Sequence, residues 1–275
     1  MKPAALRTAL LRGKRRPRNA GGGSPTQFRG DGLEFVEVRA YADGDDPRRI
    51  DWASSARVGQ LQTRVVLEDV SLTLATILDG SSSMNLGHAT SLASAASDAM
   101  HTWFGCATGE DRCVRVGTSS LLTPSHLRGR NAAVAAAAAT DRTPFSLQRA
   151  LTTALAALPR GSAVLVISDF LESLDRDVMA RCARRFDMTA LAARDPWFDG
   201  IPLRGFVHLR DAETGEQTRL FVDATARRKY IEATQRRERD LHALLRSLGW
   251  RTEALLEGAG ARSLYAAFGL AERIA

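Results

Sequence analysis

The sequence predicts an open α/β sheet, mostly parallel, with helices on both faces. Three observations carry this. Segments 72–79 (LTLATILD) and 163–168 (AVLVIS) are nearly unbroken apolar runs, as strands buried on both faces require. Helix-length segments alternate with such runs along the chain, the pattern of strands joined by crossover helices. Both runs lead into a carboxylate, Asp79 and Asp169, and in sheets of this kind ligands sit beyond the carboxyl ends of the strands.

The elements follow in chain order. Residues 33–38 and 61–67 read as strands of a small β-element. Between them lie a dense turn signal at 43–47 (DGDDP) and a short helix or loop around Ile50, Trp52 and Ala53. The strand at 72–79 leads to an Ala- and Ser-rich helix at 88–107, a strand at 113–118, and helices at 130–139 and 146–158. Pro159 and Gly161 close the last of these. After the strand at 163–168 come a helix at 173–186 and a strand at 188–193. GFVHL at 205–209 and TRLFV at 218–222 flank a polar turn, which makes a β-hairpin. Tyr230, Ile231, Thr234, Leu241, Leu244, Leu245 and Leu248 recur at helical spacing through 225–248, and Gly249 caps that helix. A strand at 250–256 and a helix at 262–269 complete the chain.

Hydrophobic residues make up 44% and charged residues 25%, so the chain is globular rather than disordered. Its 275 residues suit one large domain with a smaller appendage. The expected division is a basic arm at 1–26, a β-element at 27–70, and an α/β domain at 71–275 with the hairpin inserted. The net charge of +7 resides wholly in the arm: Lys2, Arg7, Arg12, Lys14, Arg15, Arg16 and Arg18 occur there without an acid before residue 20. A folded nucleic-acid reader carries its basic excess in the domain itself. Here only the arm, followed by the linker Gly21-Gly22-Gly23-Ser24-Pro25, offers itself to phosphates or to an acidic partner, and it reads as mobile. No apolar run follows the arm as a secretory signal needs, and no run of ~18 apolar residues suggests a membrane span. Cys106, Cys113 and Cys182 match no zinc spacing. They are expected to be buried free thiols in a reducing, cytoplasmic compartment.

The chemistry concentrates after the first apolar strand. Asp79-Gly80-Ser81-Ser82-Ser83 puts oxygen side chains at alternate positions of a strand-end loop, where they can converge on one small volume. Mg2+ takes hard oxygen ligands and keeps several waters, and no thiol or imidazole that would suit a softer metal flanks the motif except His88. Thr143 lies in a loop ahead of a helix, and Asp169 ends the second apolar strand. The bland alternative is that each of these residues caps a neighbouring helix or turn on its own.

The order strand-DxSxS, loop-Thr, strand-Asp resembles the metal-ion-dependent adhesion site of von Willebrand A domains. The resemblance implies a von Willebrand A-like fold. It also implies a divalent cation, Mg2+ with Mn2+ or Ca2+ as alternatives. Ser81, Ser83 and Thr143 would be direct ligands, and Asp79 and Asp169 would act directly or through water. Neutral hydroxyls leave the cation's charge partly uncompensated, so an Asp or Glu of another protein is the expected guest. Asp79→Ala is expected to abolish Mg2+ binding and leave the fold intact.

A second block, RGDGLEFVEVRAYADGDDPRRIDWASSAR at 29–57, resembles the signature of the bacterial family called domain of unknown function number fifty-eight. Its matching pieces include Phe35, Arg39, Tyr41, Arg48, Ile50-Asp51-Trp52 and Ala56-Arg57. Arg194-Asp195-Pro196 and residues 211–216 resemble that family too. Within the block, Arg39, Arg48, Arg49 and Arg57 interleave with Glu34, Glu37, Asp45, Asp46 and Asp51. That density of balanced charge suggests a salt-bridged scaffold, with Phe35 and Trp52 as apolar anchors. The family's members resemble partners of MoxR-type AAA+ ATPases, which implies a chaperone-like role in maturation or remodelling of other proteins.

The leading expectation is therefore a non-enzymatic protein-interaction module. Two others compete. The arm could bind nucleic acid or an acidic partner, with steep salt dependence. Less favoured is a hydrolase using Ser83 with His88 and Asp169: Gly80-Ser81-Ser82-Ser83-Met84 is not the nucleophile-elbow pattern. No phosphate-binding Walker loop is present either.

Overall fold

The computed structural model describes residues 3–14, 29–43, 45, 47–67, 71–211 and 215–270. The chain divides into two compact units, Leu11–Ser71 and Met1–Leu10 together with Leu72–Ala275.

Helix α1 (Pro3–Lys14) opens the chain. The expectation of a mobile arm meets a helix here, and residues 15–26 lie outside the described ones. The reason is a short apolar stripe within the basic composition: Leu6 and Leu10, one turn apart, are 0% and 1% exposed. Ala4, Ala5 and Ala9 favour the helical backbone. Arg7 is paired with the buried Asp111, which also accepts from the Leu72 amide (2.6 Å) and the Thr108 amide (2.7 Å).

In the smaller unit, β1 (Arg29–Ala40) pairs antiparallel with β2 (Gln62–Leu67). Helix α2 (Trp52–Val58) lies between them in sequence, capped by Asp51, whose carboxylate accepts from the Ser54 amide. Of the charges expected to interleave, Arg39 pairs with Asp45 at 2.7 Å, while Asp51 pairs with Arg64, outside that block, at 2.9 Å. Trp52 is not an anchor. It is the first residue of its helix, stands outside the packed face, and is 68% exposed. The Phe35 side chain, Asp46 and residues 27, 28 and 68–70 lie outside the described residues.

The larger unit is built on β3 (Thr73–Leu78), β4 (Arg112–Val116), β5 (Ala163–Ser168), β6 (Asp187–Ala193) and β9 (Arg251–Leu255). The order is β4-β3-β5-β6-β9 and every pairing is parallel. Ala75, Ile77, Val114, Val116, Val164, Val166, Met188 and Ala190 alternate onto one face. There they pack against α5 (Leu147–Ala157), α6 (Arg176–Arg185) and the C-terminal part of α7 (Ala224–Ser247). Helices α3 (Leu92–Phe104), α4 (Gly129–Ala138) and α8 (Gly260–Ala267) pack on the other face. This is the helix-covered parallel sheet the apolar runs predict, because a strand without a polar side must be covered twice. The hairpin is a sheet of its own, β7 (Gly205–Arg210) with β8 (Gln217–Val222), and residues 212–214 of its turn lie outside the described ones.

The helix expected from residue 88 starts at Leu92, where the Ser91 hydroxyl accepts from the Ser94 amide. Loop 86–91 is held open by Glu257, whose carboxylate accepts from the amides of His88 (2.8 Å), Ala89 and Thr90 (2.6 Å). These donors, the His88 and Thr90 amides foremost, keep the Glu257 carboxyl below the usual 4.5.

Candidate functional site

After β3 the chain runs to β4 on one side and then crosses to β5 on the other, so the strand order reverses at β3. Sheets of this kind open a crevice at that reversal, beyond the carboxyl ends of the strands. Asp79 follows β3 and Asp169 follows β5, and the parallel register sets the two ends side by side.

Four of the five predicted residues meet there. Asp79 is 6% exposed. One of its oxygens accepts from the Ser81 amide at 2.9 Å and the other from the Ser168 hydroxyl at 2.6 Å. The Ser81 and Ser83 hydroxyls are 2.9 Å apart, and Ser83 donates to Asp169 at 2.5 Å. The second Asp169 oxygen accepts from the Leu171 amide at 2.9 Å. Phe170, directly after it, holds φ at 52°, a left-handed conformation unusual for a bulky residue. Its amide donates to the Ser168 hydroxyl at 3.1 Å. The turn that presents Asp169 is thus held in a sparsely populated shape by a side chain of the preceding strand.

Thr143 is placed differently. Its hydroxyl and amide both donate to Asp141 Oδ1, at 2.7 and 3.0 Å. The other Asp141 oxygen accepts from the Thr118 amide at 2.7 Å, two residues past β4. Thr143 therefore stands at the end of the strand beside β3 and bonds to Asp141 rather than to the four-residue cluster. Burial alone would raise the Asp141 carboxyl, but the Thr143 and Thr118 donors outweigh it and hold it below the usual 3.8.

The helix caps are made by other residues. Ser146 caps α5, and Glu172 accepts from the Leu147 amide at 2.6 Å at the same helix end. Ser81, at the head of the 3-10 turn Ser82–Asn85, makes no side-chain capping bond. His88 stands in the loop, with Nε2 at 2.6 Å from the Pro196 carbonyl oxygen. The His88 ring is thus directed at Pro196, whereas the Ser83 hydroxyl donates to Asp169.

The residues present fit a hard cation. The Ser81 and Ser83 hydroxyls hydrogen-bond to each other at 2.9 Å, which leaves their oxygens close enough to serve as neighbouring ligands of an ion bound at ~2.1 Å. Among the described residues no group of three or more His, Cys, Asp or Glu side chains is arranged to hold a metal, so a cation here would rest on hydroxyls with two carboxylates. Three participants are not signalled by the DxSxS pattern. Ser168 immediately precedes Asp169 and Asp141 precedes Thr143 by two, so each lies beside a residue the pattern does mark. Arg237, which donates to the Asp169 carbonyl oxygen at 2.7 Å, has no local signal at all.

The model of the family described as Protein of unknown function DUF58 matches residues 37–240. Uncharacterized proteins of Mycobacterium bovis and Mycobacterium tuberculosis are 30% identical over 235 residues, covering 80% of this chain and 73% of theirs. Among solved structures, an aerotolerance-related membrane protein from Bacteroides fragilis aligns with TM-score 0.45 at 12% identity, over 71% of this chain and 96% of that one. The conserved hypothetical protein BatB from Bacteroides thetaiotaomicron aligns with TM-score 0.38 at 13% identity, over 65% and 99%. Among the described residues no helix is long and apolar enough to cross a membrane.

Proposed function

The chain belongs to the family described as Protein of unknown function DUF58, and on that premise we propose that it is a non-enzymatic interaction module whose grip on a partner protein depends on a divalent cation. Asp79, Ser81, Ser83 and Asp169 would hold the ion, Mg2+ before Mn2+ or Ca2+, with Thr143 completing the set in the manner of a von Willebrand A adhesion site. When bound, the ion supplies a partly uncompensated positive charge with an open position, which suits a carboxylate of the partner. On the family resemblance we place this capture beside a MoxR-type AAA+ ATPase, in chaperone-like maturation or remodelling.

The observation that carries this reading is the hydroxyl pair of Ser81 and Ser83, 2.9 Å apart and tied to Asp169, at the reversal point of a parallel sheet. The protein's own residues orient one another. Asp79, with both oxygens already accepting, fixes Ser81 and Ser168. Ser168 in turn fixes the turn that aims Asp169. Asp141 holds Thr143 at the neighbouring strand end. A hydroxyl set held in this way loses little orientation entropy on binding an ion.

Calorimetric titration with Mg2+, followed by affinity capture with and without EDTA, tests the proposal. Ser83→Ala should cut Mg2+ affinity about tenfold or more, the loss of one charge-assisted contact, with an unchanged thermal midpoint, and should release the EDTA-sensitive partners. Wild-type affinity in Ser83→Ala, or no Mg2+ binding by the unaltered chain, sinks it.

A further inference from the structure

Helix α7 changes character along one stripe. Leu241, Leu245 and Leu248 pack on the core. At the same helical spacing toward the N-terminus the stripe continues as Arg237, Thr234, Tyr230 and Arg227. Two of these residues meet the carboxyl ends of the strands. Tyr230 donates to Asp195, two residues past β6, at 2.5 Å, and Arg237 donates to the carbonyl oxygen of Asp169 at 2.7 Å. Arg237 is exposed, and among the described residues no carboxylate pairs with it. One guanidinium nitrogen is anchored on Asp169 and the other donors are left for a guest. Arg227, about 15 Å further along the stripe, has a buried Nε–H that no acceptor meets.

From this geometry we infer that Arg237 reads a second acidic group of the partner, so that the segment captured has the form acid-x-acid in an extended conformation. The inference rests on the cation-dependent capture proposed above and names its guest. Covalent reach bounds the spacing. The Asp169 carbonyl oxygen and its carboxylate belong to one residue, so the guanidinium stands within about 10 Å of the hydroxyl cluster. Side chains two apart on an extended strand point the same way and are separated by about 7 Å. The first acid of such a segment lies over Ser81 and Ser83, and the second meets a guanidinium already fixed in place. Arg suits this role because its planar fork keeps donors for a carboxylate after one is spent on the carbonyl. A segment with a single acid leaves Arg237 unused, and adjacent acids point to opposite sides.

The test uses the full chain and three fluorescent peptides of equal length, otherwise Gly and Ser. One carries a single Glu, one carries Glu at adjacent positions, and one carries Glu at alternate positions. Binding is read by anisotropy in Mg2+ and in EDTA. The alternate-Glu peptide should bind about fivefold tighter than the other two, the size expected of an exposed ion pair. Arg237→Ala should erase that preference, over and above any loss of Mg2+ affinity that all three peptides share because the Asp169 carbonyl has lost its donor. Arg237→Lys should keep part of it, and Arg237→Glu should disfavour the alternate-Glu peptide. An equal preference in wild type and Arg237→Ala overturns the inference, as does no binding of any peptide. An equal loss for all three peptides together with Mg2+ affinity also overturns it, because Arg237 would then only clamp the Asp169 turn. A preference that follows Arg237 but ignores EDTA upholds the acid-reading role and removes the cation from it.

Discussion

Asp79 and Ser83 differ in what their loss does to the fold. Asp79 is buried and accepts from the Ser81 amide and the Ser168 hydroxyl. Removing its carboxylate strands both donors, at about 1–3 kcal/mol for a buried unsatisfied group. Asp79→Ala is therefore expected to lose stability together with the cation, which departs from the intact fold expected of that substitution. Ser83→Ala separates the two effects better. The cysteines illustrate the opposite case, reactive groups placed where they cannot react. Cys182 is 0% exposed, and burial pushes its thiol up to about 12. The thiolate that alkylates is then scarce at neutral pH. In the native protein, Cys182 should resist iodoacetamide until the chain unfolds, and Cys182→Ser should leave Mg2+ titration unchanged. Rapid native labelling, followed by mass spectrometry, would show that the thiol is not passive.

Between elements, α3 and α8 meet at a glycine. A Cβ on Gly260 would lie 1.8 Å from the Ala95 carbonyl oxygen and 2.9 Å from the Ala99 amide. The two helices meet backbone to backbone because Ala95, Ala96 and Ala99 leave room. Asp98 then accepts from the Ala261 amide at 2.7 Å and closes the first turn of α8. Gly260→Ala is expected to force the helices apart at about 1–3 kcal/mol, measured as a lower denaturant midpoint. An unchanged midpoint would mean that α8 is free to shift. The same region reaches the candidate site through Glu257, which secures the loop after Ser83 by three successive amides. This helix starts two residues earlier than its hydrophobic pattern predicts, since Gly260 carries no side chain to join the pattern.

For the molecule as a whole, the N-terminal charge is a poor guide to N-terminal structure. Residues 3–10 add a helix to the larger unit through Leu6 and Leu10, and Arg7 neutralises Asp111, which is 1% exposed. Deleting residues 1–14 should lower the thermal midpoint. Each leucine contributes about 1.5–3 kcal/mol by burial, and a buried carboxylate without its cation costs more. Calorimetry on the truncated chain checks this, and a midpoint equal to that of the full chain would restore the view of a detached arm. A truncation therefore cannot by itself divide arm-dependent binding from cation-dependent binding. Arg7→Gln alone is the milder probe, because it keeps both leucines in place.

The sheet was legible because burial on both faces writes itself into consecutive residues. AVLVIS at 163–168 is strand β5 to the residue, and the carboxylates after β3 and β5 stand at the reversal point that such a sheet must contain. Helix α7 and the hairpin were legible from their periods for the same local reason. What joins the site was not. Ser168 to Asp79 spans 89 positions, Arg237 to Asp169 spans 68, and Arg7 to Asp111 spans 104. The tertiary structure alone decided that Asp141 reaches Thr118 beyond the neighbouring strand, that Trp52 stays in solvent, and that a basic segment carries two core leucines. Periodicity is a property of neighbours along the chain. Which polar groups meet depends on how distant segments close on one another, and a residue's own neighbours carry no record of that.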